Sequence, residues 1–465
     1  MTECCIESLE KYKKIHLIGI GGISMSAIAE RLKAWGHIVT GSDLHESEIT
    51  NRLNDDGIKV VIGHDIELVK NADLIIYNAA IPDTDPEMIV AKENNIDVIG
   101  RGKFVGFLTK KYNEAICVSG THGKTTTTSM LSICFLNANM DPSIEVGAIL
   151  NKINGNYRVG KSEYFILESC EYKANFLNFF PNSAIILNID NDHLDYYKTF
   201  DNIVKTFNQF VQNVDSNGVV VVNGDDDNCL NLKEYASSKF ITYGIENTNA
   251  DFVAQNIEFD EEGFAKFDVY KNGRLYIDIH LSVPGKHNIL NALAVIAMSD
   301  YYKIDKNIIK ESMAEFKGAS RRMDYKGCVN NAKVFDDYGH HPTEVLATIK
   351  GIKNKKFNKS WVVFQPHTYS RTKAHLKEFA EALLDFDNII VTDIYAAREK
   401  NTFDISSKDL VDEIIKLGKD AKHMSDFNEI VELLKKNVEN NDLVLTLGAG
   451  TVTEIGPMLV SGDNE

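Results

Sequence analysis

Residues 115–128, AICVSGTHGKTTTT, decide how this chain is read. The apolar run 115–118 has the length and composition of a buried strand, and Ser119-Gly120-Thr121-His122-Gly123 breaks it. Lys124 and the threonines then open a helix that continues as SMLSICFLNA. A strand, a tight glycine turn and a helix N-terminus aim several backbone N–H groups and the positive end of the helix dipole at one point. That point binds phosphate. Gly120, Thr121, His122, Gly123, Lys124, Thr125 and Thr126 are therefore expected to cradle ATP, with the Lys124 charge on the outer phosphates and the Thr125 hydroxyl on Mg2+. The spacing Gly-x-x-Gly-Lys-Thr is two residues shorter between glycines than the common phosphate-loop pattern. A plain strand-to-helix turn with an incidental lysine is the competing reading, and it leaves the coincidence of glycine, lysine and threonine unexplained.

At 465 residues the chain exceeds a single core, and its 44% hydrophobic content is that of an ordinary soluble protein. A formal net charge of -17 argues against nucleic acid and anionic lipid as partners, so an anionic ligand needs its own local positive groups. The seven cysteines include the adjacent pair Cys4-Cys5 but form no CxxC pair, which signals neither a disulfide framework nor a zinc site. MTECCIESLEKYKK lacks the apolar core of a signal peptide, and no apolar run approaches the roughly 20 residues of a membrane span. The expectation is a cytoplasmic protein with no membrane insertion.

Upstream, residues 15–41 read strand, glycine turn, helix, strand. The turn Gly19-Ile20-Gly21-Gly22-Ile23-Ser24 resembles a dinucleotide fingerprint, with Asp43 where a ribose-binding acid belongs. Ser24 stands in place of the third glycine, which favours a nucleotide diphosphate over NAD. Alternation continues through VVIGH (60–64), LIIYNAAI (74–81) and IDVIG (96–100), a small parallel α/β domain over 1–110. After the phosphate loop come strand-like runs at 164–169, 183–189, 218–223 and 239–243. Between 251 and 283 the pattern alternates and breaks at Glu262-Gly263 and Asn272-Gly273, as in antiparallel hairpins. This central segment spans 111–320, and a third alternating strand–helix segment spans 321–465, beginning with VFDDY. The fold class is α/β in three domains.

Glu168 and Glu171 close one buried strand, and Asp190, Asp192, His193 and Asp195 follow another. Acids at the carboxyl ends of strands beside a phosphate loop suit a magnesium–nucleotide site. Lys286, His287, Asn288 and Asn291 open a helix after Pro284-Gly285, where Asn288 is either a nucleotide contact or a helix cap. Arg321-Arg322 marks the seam between segments, as an interdomain salt bridge or a phosphate clamp. Asp336, Asp337, Tyr338, His340 and His341 end one further strand, and His367 and Arg371 follow the next. Histidine beside arginine on such edge loops suits an amino-acid carboxylate.

Taken together, HLIGIGGISMSAIAERL, GSD, GTHGKTTT, ESCEYKANFL, NIDNDHLDYY, PGKHNILNALA, RRMD, DDYGHHPTE, FQPHTYSRT and the final GAG resemble the Mur ligases almost end to end. The resemblance implies a Rossmann-like N-terminal domain for a UDP-sugar, a central P-loop-type ATPase domain and a Rossmann-like C-terminal domain for an amino acid. It makes Gly19, Gly21, Gly22, Ser24, Met25, Asp43 and His64 the UDP-sugar contacts. It puts Lys124 on the ATP phosphates and Thr125, Glu171 and His193 on magnesium. Asn288 and Asn291 fall on the adenine side, Arg322 and Asp336 on phosphate and ribose, and Tyr338, His340 and Arg371 in the amino-acid pocket. Lys124, Glu171, His193 and Arg322 carry the catalysis in this reading. Cys170 and Lys173 replace two acids of the family's Asp-Glu-Ser-Asp stretch, and Thr368 stands where some relatives have arginine. Lys205 is a loose positional match to the carbamylated lysine of other members.

The implied partners are UDP-N-acetylmuramate and L-alanine, joined at the cost of ATP through an acyl phosphate, by a monomer or homodimer. Three rival readings stand beside it. One is the recycling ligase that adds a tripeptide to the same sugar nucleotide; another is an NAD-dependent oxidoreductase built on the first glycine turn; the third is a nucleotide sensor without catalysis.

Overall fold

The computed structural model describes residues 6, 8–78, 80–260, 263–318, 321–353, 357–397 and 399–460. Cys4, Cys5 and Glu262 of the expected turn lie outside the described residues. The chain divides into two compact units: Met1–Asp190, Thr199–Tyr243 and Ala294–Ile308 form one, and Asn191–Lys198, Gly244–Leu293 and Ile309–Glu465 the other. The strands assemble into three sheet systems, as the α/β reading expects.

In the first unit, five parallel strands run in the order Lys59–Ile62, Ile38–Asp43, Lys14–Ile18, Leu74–Tyr77, Asp97–Gly100. The fourth is shorter than the expected 74–81, because Ile81 N–H donates to the Asn78 carbonyl and closes a turn there. A second sheet follows in the order Lys239–Gly244, Val219–Asn223, Ser183–Ile186, Glu114–Ser119, Tyr164–Glu168, Ser143–Leu150, Gly155–Arg158. Val219–Asn223 is buried at every residue, the pattern of a parallel strand covered on both faces.

The sequence reading did not anticipate Ser143–Leu150 and Gly155–Arg158. Glu145 and Gly147 interrupt the apolar run of the first, and pairing with Phe165–Leu167 on one side and Gly155–Arg158 on the other makes it a strand.

Helix Lys124–Asn137 is buried along nearly its whole length despite its hydroxyl residues. The hydroxyls of Thr128, Ser129 and Ser132 donate to the carbonyls of Lys124, Thr125 and Thr128 at 2.7–2.8 Å, so these three are satisfied within the helix itself.

In the second unit, Phe252–Phe259, Phe264–Lys271 and Arg274–Pro284 form an antiparallel meander. Asn272 and Gly273 both take positive φ (49° and 73°) at its second turn, the hairpin geometry their sequence predicts. The other sheet runs Asp324–Val329, Ala332–Asp337, Leu443–Leu447, Ser360–Phe364, Asn388–Val391, Ala421–His423, antiparallel only at its first pair. Successive residues pack into opposite cores: Phe335, Val362 and Leu445 on one face, Val334, Val363 and Val444 on the other. The two edge strands escaped the sequence reading. Asp324–Val329 is mostly half-exposed and polar, and Ala421–His423 has three residues, so neither carries a core pattern.

Candidate functional site

The phosphate loop is built as its sequence predicts. Strand Glu114–Ser119 ends on Gly120 (φ +135°), and Gly123 (φ +84°) precedes helix Lys124–Asn137. A side chain at Gly120 would press its Cβ to 3.0 Å from Leu187 Cβ and 3.1 Å from Asn188 N, in a backbone region that favours glycine. Asn188 braces the turn: its carbonyl accepts from Thr121 N–H at 3.1 Å and its side-chain oxygen from His122 N–H at 2.8 Å.

Lys124 Nζ donates to the carbonyls of Gly120 (2.6 Å) and Thr121 (2.8 Å) and pairs with Glu171 at 2.9 Å. Burial alone would lower its pKa, but the adjacent Glu171 carboxylate keeps it above the ordinary lysine value, so the ammonium is permanent. Thr125 Oγ1 donates to Glu168 Oε2 at 2.9 Å, and the same oxygen accepts Gly147 N–H at 2.8 Å. The donor set of one threonine hydroxyl and two carboxylates is the hard-oxygen chemistry a magnesium ion prefers. His122 lies 3.2 Å from Asp190, and Thr126 follows in the same first turn. Lys205 sits exposed on helix Phe200–Gln212.

The N-terminal glycine turn is also held from behind. Gly19 takes φ +77°, Gly22 N–H closes the turn onto the Gly19 carbonyl, and Gly21 N–H donates to Asp43 Oδ2 at 2.9 Å. A Cβ at Gly21 would lie 2.9 Å from that carboxylate oxygen and 2.9 Å from Thr50 Cγ2, so a side chain there would make Asp43 or Thr50 shift. Ser24 has its own reason to differ from glycine: its hydroxyl accepts from Arg101 Nη1 at 2.9 Å and donates to Glu145. Met25 is fully buried in the core of helix Ile23–Ala34. His64 Nδ1 lies 3.7 Å from Glu87 and 4.0 Å from Asp85; Glu87, itself buried, accepts from Ser42 Oγ at 2.5 Å and from Asp65 N–H at 2.9 Å.

In the second unit, Arg371 Nη2 donates to Asp192 Oδ1 at 3.1 Å, and its Nη1 lies 3.2 Å from His367 Nδ1. Burial pushes the Asp192 carboxyl up, but Arg371, ahead of His193, holds it well below the usual carboxylate range. His340 stacks edge-on against Tyr338 (ring centroids 5.2 Å) and His367 (5.4 Å), with Glu344 at 3.2 Å. Burial outweighs that carboxylate and lowers His340 to about 4; burial with His340 and Arg371 alongside lowers His367 to about 3. The three expected amino-acid residues, Tyr338, His340 and Arg371, thus share one cluster. His193 follows Asp192 and takes a left-handed backbone (φ 58°) at the start of helix Leu194–Tyr197.

Both arginines of the pair make contacts within their own sheet domain. Arg321 Nε lies 3.3 Å from Asp336 and its Nη2 donates to the Gly448 carbonyl at 2.7 Å; Arg322 lies 3.8 Å from Glu344 and over the Tyr338 ring. All of these partners belong to the same sheet domain. Asp336 is fully buried, with its oxygens accepting from Thr446 (2.6 Å) and Thr453 (2.7 Å). Asn288 is not an N-cap acceptor: its amide donates to the Pro284 carbonyl at 2.7 Å and its oxygen accepts from Asn291 at 3.0 Å. Glu145, Arg101, Gly147, Asn188 and Glu344 are the contacts that the sequence reading missed. A glutamate and a glycine inside the apolar run SIEVGAIL were the available signal for two of them.

Two nucleotide-type glycine turns, an ion-paired phosphate-loop lysine and an arginine–histidine cluster define an ATP-dependent ligase architecture, and the chain belongs to the Mur ligase family. Residues 14–113 match the model described as Mur ligase family, catalytic domain; 118–299 match the Mur ligase middle domain; 321–450 match the Mur ligase, glutamate ligase domain. The UDP-N-acetylmuramate–L-alanine ligase of Caldanaerobacter subterraneus subsp. tengcongensis is 50% identical over 96% of this chain and 97% of its own length. The ligase of that name from Acetivibrio thermocellus is 45% identical over 99% and 98%. Among solved structures, the UDP-N-acetylmuramate–alanine ligase of Thermotoga maritima superposes with a TM-score of 0.83 at 30% identity, covering 96% of this chain and 98% of that one. A murein peptide ligase from Psychrobacter arcticus shares the fold, with a TM-score of 0.74 at 22% identity. No helix among the described residues is long and apolar enough to cross a membrane.

Proposed function

We propose that this chain is an ATP-dependent ligase joining L-alanine to the lactyl carboxylate of UDP-N-acetylmuramate, a step of peptidoglycan precursor synthesis in the cytoplasm. The observation that carries it is full-length similarity, 50% identity over 96% of the chain, to a ligase of that specificity, on a chain whose phosphate loop keeps its lysine buried against a carboxylate.

A carboxylate is a poor electrophile because oxide is a poor leaving group. In the proposed sequence its oxygen attacks the γ-phosphorus of ATP, the bond to ADP breaks, and an acyl phosphate forms. The amine of L-alanine then attacks the acyl carbon, inorganic phosphate leaves and the amine gives up a proton. Lys124 and the N–H groups of the loop bind the phosphates and offset charge as it develops. Thr125 and Glu171 would hold Mg2+, with His193 as the further ligand the family resemblance implies; the ion supplies charge neutralisation at the phosphates. The glycine turn with Asp43 and His64 binds the UDP moiety. Asn288 and Asn291 lie on the adenine side, with Arg322 and Asp336 toward phosphate and ribose. Arg371 takes the alanine carboxylate, and Tyr338 and His340 limit the side chain.

Recycling of a tripeptide onto the same sugar nucleotide is the second reading, supported by the shared fold of the murein peptide ligase; the lower identity, 22%, counts against it. Phosphate release with ATP and UDP-N-acetylmuramate, measured with L-alanine and separately with the tripeptide, decides. Release driven by alanine is expected, and release driven by the tripeptide alone would reverse the assignment.

A further inference from the structure

Ser24 closes the first glycine turn, and its hydroxyl donates to Oε1 of Glu145, a residue that comes from the other sheet of the same unit. Glu145 is 7% exposed, and among the described residues its second oxygen, Oε2, has no hydrogen-bond partner. A buried carboxylate oxygen without a donor is costly. Nearby, Asn156 Nδ2 donates to the Ile23 carbonyl at 2.9 Å, so the first turn of helix Ile23–Ala34 is seated on the strand pair Ser143–Leu150 and Gly155–Arg158.

Two residues beyond Glu145, Gly147 N–H donates to Glu168 Oε2, which also accepts Thr125 Oγ1 of the phosphate loop. Residues i and i+2 of a strand share a face about 7 Å apart. The strand Ser143–Leu150 therefore runs from the nucleotide turn to the phosphate loop. A sugar nucleotide held by the turn, with its acid delivered to the loop, has to lay its sugar along this strand. Sugars present hydroxyl and amide N–H donors, the groups that an unsatisfied carboxylate oxygen accepts.

We infer that Glu145 is a recognition residue for the sugar, its Oε2 accepting a hydrogen bond from a hydroxyl or amide N–H of the pyranose, while Oε1 keeps Ser24 in place. The assignment rests on the reading of the first glycine turn as the UDP-sugar site, and deepens it.

Glu145→Gln is the discriminating variant, because the amide oxygen still accepts from Ser24 while its NH2 cannot accept from the sugar. Full-length parent and variant are titrated calorimetrically with UDP-N-acetylmuramate, with UDP alone, and with a non-hydrolysable ATP analogue. The variant is expected to bind UDP-N-acetylmuramate about ten- to a hundredfold more weakly, with UDP and the ATP analogue unchanged; the unchanged ligands also show that the fold is intact. Equal weakening of UDP and UDP-N-acetylmuramate would mean that Glu145 acts only through the turn, and no weakening of either would remove it from the site. Both overturn the inference. Failure of the unmodified protein to bind UDP-N-acetylmuramate removes the parent reading together with this one, a result distinct from the other two.

Discussion

Lys124 and Glu171 form a buried ion pair, Nζ to Oε2 at 2.9 Å, in which the lysine also caps the carbonyls of Gly120 and Thr121. The pair joins the helix start to the segment that follows strand Tyr164–Glu168, so one contact bears on both the loop's shape and its charge. Lys124→Ala is expected to lower phosphate release at least about a hundredfold while UDP-N-acetylmuramate affinity stays near the parent value. It leaves the Glu171 carboxylate buried without its cation, which costs about 3–5 kcal/mol of stability. Stopped-assay phosphate release and urea unfolding check the two halves separately, and undiminished turnover would remove the loop from the mechanism.

Gly147 approaches Glu168 so closely that a Cβ there would lie 2.7 and 2.9 Å from the two carboxylate oxygens. The crowding falls on the mobile end of a side chain and not on backbone, so Gly147→Ala should fold normally. Glu168 then shifts away from Thr125. The expected result is a raised KM for ATP with an unchanged melting temperature, read by initial rates and thermal unfolding.

Arg371 bonds Asp192 across the histidine cluster at 3.1 Å. Arg371→Lys keeps the charge but loses the planar fork that can hold two carboxylates at once. The KM for L-alanine should rise about tenfold or more, with UDP-N-acetylmuramate affinity unchanged. An unaltered alanine KM would place the carboxylate elsewhere.

His340 is held neutral, its pKa lowered by burial to about 4 from an ordinary value near 6.5. Between those values the unfolded chain binds the proton and the folded chain does not, so unfolding is favoured as pH falls. The contribution of His340 to stability is therefore present above about pH 6.5 and is lost progressively toward pH 4. Urea midpoints across this range should fall more steeply for the parent than for His340→Asn. Parallel curves would show that the imidazole titrates freely.

Some parts of this molecule are written in contiguous residues. The run 115–128 names its strand, turn and helix because hydrogen bonds such as Lys124 to Gly120 join residues four apart. Asn272-Gly273 names its hairpin for the same reason. Phe335, Val362 and Leu445, with their neighbours facing the opposite core, could be read as strands from composition. Asp324–Val329 and Ser143–Leu150 could not, since one is a polar edge and the other carries a glutamate and a glycine amid its apolar residues.

What the sequence by itself determined was the order of the sheets, the phosphate loop and the family whose chemistry those motifs carry. Only the tertiary structure decided which carboxylate faces which partner: Glu145 toward Ser24, 121 residues away, and Asp192 toward Arg371, 179 residues away. Backbone periodicity records whether a residue is inside or outside. It contains no term for the long-range packing that brings two distant polar groups into one desolvated space, where an unpaired charge is costly enough to fix its partner.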